Sequence, residues 1–213
     1  MTKLRWALPD HGVLFVVSGP SGVGKSTLVK AAMARIPGLE FSVSATTRAP
    51  RTGEREGVDY HFLDRERFDL LVAQEAFLEH ATVYDRSYGT LREPTRRALD
   101  AGRSVLLDID VRGARQVRQR EPAAVHLFVL PPSVEVLEAR LRHRATDDEA
   151  TITRRMEQAM EQLEGCVDYD YVIVNDDLDA SHAAFQGILL AETSRRERRQ
   201  KVIDAVLGPT HRG

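Results

Sequence analysis

The chain has 213 residues, 42% of them hydrophobic and 29% charged, with 30 Lys and Arg against 32 Asp and Glu for a formal net charge of -2. This size suits a single core, alone or with an insertion, since cores grow to about 250 residues before splitting. The balanced charge excludes a chain that is basic throughout for nucleic acid, though not a local basic site. One cysteine, Cys166, excludes an intramolecular disulfide. No apolar run reaches the roughly 20 residues that a bilayer span needs, and Met1 to Asp10 has neither an apolar signal core nor an Arg/Ser-rich transit pattern. A soluble, cytoplasmic protein is expected, with no membrane or nucleic-acid partner and with its state, monomer or homo-oligomer, left open.

In chain order, Val13 to Ser18 is a short β-branched apolar run that predicts a buried strand, and Thr27 to Ile36 predicts a helix. The rhythm then breaks between residues 38 and 91. There Phe41 to Thr47 alternates like a strand, Arg48 to Gly57 is rich in Arg, Gly and Pro, and Tyr60 to Leu63 is a further short strand candidate. Ser104 to Asp108, Val125 to Leu130 and Tyr171 to Val174 predict further buried strands. Helical spacing places Val134, Leu137 and Leu141 on one face, then Ile152, Met156 and Leu163, then Phe185, Ile188 and Leu189. Thr146 to Glu149 reads as a polar turn joining two helices, Arg195 to Lys201 as an Arg-dense helix, and Gly208 to Gly213 as a fraying end. Buried strands separated by helices indicate an α/β fold, a parallel sheet covered on both faces.

Gly19-Pro20-Ser21-Gly22-Val23-Gly24-Lys25-Ser26 fits G-x-x-x-x-G-K-[ST] between a strand and a helix. Such a loop curls its N–H groups toward phosphate oxygens, and the helix behind adds its positive end. Lys25 then reaches β/γ phosphates while the Ser26 hydroxyl ligates Mg²⁺. The acidic partner for that metal comes from Leu106-Leu107-Asp108-Ile109-Asp110, a strand ending in two carboxylates, of which Asp108 is the metal candidate. Helix N-capping is the plainer reading of either aspartate. These residues make ATP with Mg²⁺ the expected ligand of Gly19 to Thr27. For the acceptor, Arg48 and Arg51 flank Pro50, and guanidinium forks suit phosphate oxygens, with Tyr60 a further donor. A solvated Arg-rich loop is the alternative.

Phe41 to Glu54, Phe77-Leu-Glu-His-Ala, Tyr88-Gly-Thr, Leu107-Asp-Ile-Asp and Val172-Ile-Val-Asn-Asp stand in the order seen in guanylate kinases. The chain resembles the bacterial members of that family over about residues 11 to 193. The resemblance implies a P-loop NTPase core over 11–37, 92–132 and 166–207, a GMP-binding insertion over 38–91, a helical lid over 133–165, and termini 1–10 and 208–213. It implies ATP:GMP phosphotransfer, with dGMP as a further acceptor. Arg48, Arg51, Tyr60 and Tyr88 would hold the GMP phosphate, Ser44, Glu79, Thr90 and Asp110 would face guanine, and Asn175 would join the ATP site. A carboxylate such as Glu79 accepts guanine's adjacent N1 and N2 donors, which adenine lacks. Arg140, Arg144 and Arg155 would bring positive charge from the lid to the transferring group, alongside Lys25 and Arg48. Solvated i,i+4 pairing is the alternative for Arg140.

Two departures from the family pattern stand out. His143 and Ala145 flank Arg144 where glycines are common, and Asp85-Arg86-Ser87 replaces the usual Gly-Asn-Tyr, with Arg86 a stand-in for the lost aromatic hydroxyl. Two rivals remain: a non-catalytic guanylate-kinase-like interaction module, against which the intact P-loop argues, and a sugar-phosphate kinase, against which the guanine-facing set argues. Cys166 reads as a packing residue, and the histidines show no metal-ligand spacing.

Overall fold

The computed structural model describes residues 8–83, 85–143 and 149–208, with only the backbone of residue 143. Its centre is a parallel sheet of five strands: β1 (Leu14–Ser18), β2 (Leu39–Phe41), β7 (Ser104–Asp108), β8 (Val125–Leu130) and β9 (Tyr171–Val174), in the order β2-β7-β1-β8-β9. Every residue of β1 is buried, because helices cover both faces of the sheet. Phe15, Val17, Leu127 and Val129 pack with Leu28 and Val29 of α1 (Lys25–Arg35) and with Phe185 and Leu189 of α7 (Leu178–Thr193). Leu14, Val16, Val105 and Leu107 pack on the other side with Ala98 of α3 (Arg92–Asp100) and with Ala114 and Val117 of α4 (Val111–Arg120). The continuous apolar runs of β1, β7 and β8 are what a two-sided parallel sheet requires; β9, expected to be buried, lies at the sheet edge and leaves Val172 and Val174 exposed.

A second sheet of four strands stands in the segment where the rhythm breaks: β3 (Ala45–Thr46), β4 (His61–Phe62), β5 (Phe77–Val83) and β6 (Arg86–Leu91), in the order β4-β3-β6-β5. With α2 (Arg65–Ala73) it closes a small core of Ala45, Phe68 and Phe77, in which the two Phe rings stack 4.7 Å apart. The single strand expected over Phe41 to Thr47 is therefore two. Residues 39–41 pair with β7 in the central sheet, and the Ser42 amide makes one more bond to the Leu106 carbonyl before the chain crosses to the second sheet. The inserted sheet thus begins after β2, not at residue 38.

Helices α5 (Val134–His143) and α6 (Glu149–Glu164) pack through Leu137, Leu141 and Ala159. Val134 is 39% exposed and takes no part in that cluster, and the expected turn from Thr146 lies outside the described residues as far as Asp148. A short 3-10 turn, Gly165–Asp168, leads on to β9. The helix expected over Arg195 to Lys201 is instead a 3-10 turn, Arg196–Arg198, followed by α8 (Gln200–Leu207). The break has a local cause: the Asp10 amide donates to the Arg198 carbonyl, and the Asp10 carboxylate accepts from the Lys201 amide, which starts a new helix there. Among the described residues no helix is long and apolar enough to cross a membrane.

Candidate active site

The loop between β1 and α1 takes backbone shapes open to glycine. At Gly19 (φ 150°) a Cβ would lie 2.4 Å from the Val129 carbonyl oxygen, and at Gly24 (φ 98°) it would lie 2.3 Å from Asn175 Nδ2. The loop therefore presses directly on β8 and on the residue after β9. Behind it, Asn175 Nδ2 donates to the Val23 carbonyl (2.7 Å), and Arg140 of α5 donates to the carbonyls of Asn175 (3.2 Å) and Val23 (3.5 Å). Asn175, 6% exposed, supports the loop from the rear. In front is a cleft lined by Gly19 to Gly22, Gly24 to Thr27, Asp108, Ile109, Asp110 and Gln162.

Lys25 lies along that cleft, its Nζ 2.5 Å from the Gly19 carbonyl oxygen and 3.9 Å from Asp108 Oδ1. Burial pulls the lysine below its ordinary pKa while Asp108 opposes the pull. Burial likewise pushes the Asp108 carboxyl up, against the nearby ammonium. Ser26 is exposed at the helix start and lines the same cleft. One hydroxyl and one carboxylate make a sparse oxygen set. That suits Mg²⁺, which keeps several waters and completes its octahedron with substrate phosphates.

Asp110 is engaged differently. It caps α4, accepting from the Gly113 amide at 2.8 Å, so the plainer capping role holds for this aspartate. Glu79, 6% exposed on β5, accepts from the Thr90 hydroxyl of β6 at 2.7 Å. Its carboxyl is pushed above the usual range, chiefly by burial and further by Asp110, with the Thr90 bond opposing. Helix α4 holds this strand in place. Gln116 makes both strand-like bonds to the His80 backbone (3.2 and 3.0 Å), and Arg120 donates to the carbonyls of Phe77 and Leu78 (3.2 and 2.9 Å). Ser44 enters through its backbone, its carbonyl accepting from the His61 amide.

The arginine loop folds on itself. Arg48, 8% exposed, donates through Nη2 to both oxygens of Glu54 (2.8 and 2.9 Å) and through Nη1 to the Ala49 carbonyl (2.8 Å). Its guanidinium lies over the rings of Tyr60 (5.2 Å) and Phe62 (5.9 Å) and beside the Tyr88 hydroxyl, while Tyr60 and Tyr88 meet edge-on at 6.3 Å. Arg51 is exposed nearby, its amide bonded to Glu54. So Arg48, Tyr60 and Tyr88 form one cluster, and Glu79, Thr90 and Asp110 another. Ser87 points away from the first, to Arg65 (3.2 Å) and Thr82 (2.9 Å), because neighbouring residues of a strand face opposite sides. Arg86 is 52% exposed and pairs with Asp85 at 3.7 Å.

Of the arginines expected on a lid, Arg140 reaches the rear of the P-loop, and Arg155 sits half-buried on α6. Arg144 and Ala145 lie outside the described residues. Five contributors escaped the sequence reading: Glu54, Gly113, Gln116, Arg120 and Gln162. Of these, only Glu54 had a sequence signal, as an acid inside the arginine-rich motif.

A P-loop before the first helix, an acid at the end of an adjacent strand, and an insertion carrying an arginine–tyrosine cluster define a nucleoside monophosphate kinase. The family model described as guanylate kinase matches residues 12–192. The guanylate kinase of Paramagnetospirillum magneticum is 50% identical over 207 residues, covering 97% of each chain, and that of Alkalilimnicola ehrlichii is 47% identical over 196 residues, covering 92% of this chain and 97% of the other. The crystal structure of the guanylate kinase from Anaplasma phagocytophilum superposes with a TM-score of 0.69 at 34% identity, covering 93% of this chain and 97% of that one. The chain belongs to the guanylate kinase family, and is a phosphotransferase enzyme.

Proposed function

We propose that the enzyme transfers the γ-phosphoryl group of ATP to GMP with Mg²⁺, giving ADP and GDP, and that dGMP also serves. The observation that carries this reading is the end of β7. Asp108 lies 3.9 Å from the P-loop lysine, and two residues on Asp110 stands beside Glu79. A triphosphate cradle and a base-reading carboxylate therefore border one another.

In this mechanism Gly19 to Thr27 bind the ATP phosphates through backbone N–H groups, and Lys25 leaves the Gly19 carbonyl for the β/γ oxygens. Ser26 and Asp108, directly or through water, would hold Mg²⁺, which when bound neutralises charge on the phosphate oxygens. Residues 42–91 act as the GMP-binding insertion: Arg48, Arg51, Tyr60 and Tyr88 hold its phosphate, and Ser44, Glu79, Thr90 and Asp110 read guanine. Residues 133–165 act as the lid, with Arg140, Arg144 and Arg155 as its cations. Phosphoryl transfer asks chiefly for positioning and charge stabilisation, so no nucleophilic side chain is needed. Asn175 contributes by holding Val23 in place. The ligands and the single cysteine suit work in the cytoplasm.

ADP release measured across GMP, dGMP, AMP, IMP and ribose 5-phosphate, with and without Mg²⁺, tests the reading. Turnover with GMP and dGMP, little with AMP and none without metal is expected. Equal turnover of AMP, or preference for the sugar phosphate, would overturn it.

A further inference from the structure

We propose that Glu54 is a positioning residue for the acceptor phosphate: it fixes the Arg48 guanidinium and shapes the turn that brings Arg51 beside it. The proposal rests on the reading of Arg48 and Arg51 as the GMP-phosphate site and adds the group that organises them.

Glu54 makes three contacts from one carboxylate. Both oxygens accept from Arg48 Nη2, and Oε2 also accepts from the Arg51 backbone amide at 2.7 Å. The Glu54 amide in turn donates to the Arg51 carbonyl (3.0 Å), so residues 51–54 close as a turn with the side chain folded inside. The carboxylate is only 20% exposed, and the Arg48 side chain 8%. Bonds from Arg48 and from the Arg51 amide hold the Glu54 carboxyl below its ordinary pKa, so it stays anionic at neutral pH.

A carboxylate beside a phosphate site has two opposite consequences, and the geometry decides between them. As a competitor it would take the donors that GMP needs, and its charge would repel the phosphate. Arg48, however, has five N–H donors, and Glu54 engages only Nη2. The ring contacts to Tyr60 and Phe62 and the Ala49 bond fix the same guanidinium from other directions. Enough donors remain for Arg48 to keep Glu54 while meeting a phosphate. Without Glu54, a long flexible side chain would have to be ordered at the moment of binding, at an entropic cost. Holding Arg48 ready outweighs the added negative charge.

Glu54→Gln keeps the size of the side chain but sets an amide N–H₂ against the guanidinium N–H groups. It is expected to raise the Kd of GMP about tenfold, leave the Kd of ATP unchanged, and leave the weak binding of guanosine, which has no phosphate, unchanged. Glu54→Asp, a carboxylate one methylene shorter, should recover part of the loss. The glutamine oxygen can still accept from the Arg51 amide and keep the turn, so the loss runs through Arg48, and Arg48→Ala/Glu54→Gln should bind GMP no more weakly than Arg48→Ala alone. Tighter GMP binding by Glu54→Gln would make Glu54 a competitor, and equal loss for guanosine would make it a general fold residue; either overturns the proposal, as does an unchanged GMP Kd. An Arg48→Ala variant that binds GMP normally would instead refute the reading of the phosphate site itself.

Discussion

Gly113 is the third residue of α4, with no side chain between the helix and Glu79, the carboxylate proposed to read guanine. A Cβ added there would lie 3.0 Å from Glu79 Oε2, with Ile109 Cδ1 at 3.4 Å and Asp110 Oδ1 at 3.5 Å. Only the first contact is too close, so Gly113→Ala should push Glu79 back by about 0.4 Å and leave its neighbours in place. Glu79 is held by Thr90 on the far side and has little room to yield. Two charge-assisted bonds to guanine, each worth about 1.5–3 kcal/mol, would be stretched rather than lost. A penalty of about 1 kcal/mol follows, or roughly a fivefold rise in the KM for GMP. Stability should move the other way or not at all. Alanine favours a helix over glycine by about 0.5–1 kcal/mol, offsetting the crowding, so the Tm should stay within about 3 °C. A coupled ADP-release assay with each substrate varied in turn, beside a thermal melt, reads both quantities. An unchanged KM for GMP, or an equal rise for ATP, would refute the reasoning.

Lys25→Ala should lower kcat on the order of 10²–10³-fold while the GMP Kd, from calorimetry without ATP, holds steady; near-normal turnover would contradict the P-loop role. Asn175→Ala leaves the Val23 carbonyl with only the long bond from Arg140, which should cost about 1 kcal/mol of stability in urea titration and raise the KM for ATP more than that for GMP. His126, 1% exposed on β8, is held at a pKa of about 4, chiefly by burial and also by Arg118. It is neutral in the folded chain but protonates near its ordinary 6.5 when unfolded. Its contribution is present above pH 6.5 and is lost as the pH falls toward 4, by up to about 3 kcal/mol. Comparing the unfolding free energy of the parent with that of His126→Phe from pH 7 to 4 checks this, the variant showing the shallower fall.

The P-loop was legible because its machinery is local: eight consecutive residues between a strand and a helix contain the turn, the lysine and the hydroxyl. The strands Ser104–Asp108 and Val125–Leu130 were legible because burial on both faces leaves unbroken apolar runs, whereas Tyr171–Val174, at the sheet edge, keeps such a run with only Ile173 buried. Alternation over Phe41 to Thr47 identified extended chain, but nothing in it says which sheet each half joins. Pairing partners 65 residues away at Leu106, and about 40 away at Tyr88 and Gly89, settle that. The same distance effect hid the supports of the site. Gln116 reads as a polar helix residue, and only the meeting of α4 with β5 makes it a clamp on His80. Gly113 reads as a weak helix former until Glu79 is seen against it. Ser87 looked like a missing phosphate contact; its strand register turns it to the opposite side.

Asp108 and Asp110 show how one short segment joins the two halves of the site. Residue 108 still lies in the parallel ladder opposite Val17, so its carboxylate is held toward the P-loop lysine. Residue 110 lies beyond the ladder and turns to cap α4, the helix that carries the Glu79 support. Between them the Ile109 amide donates to the Val17 carbonyl (3.2 Å), and the Ile109 carbonyl accepts from Ser18 (2.7 Å). This backbone is pinned to β1 on both sides of the peptide, one residue short of the P-loop. Asp108 and Asp110 therefore cannot drift apart independently, and the spacing of these two carboxylates is set by the pairing of their segment with β1.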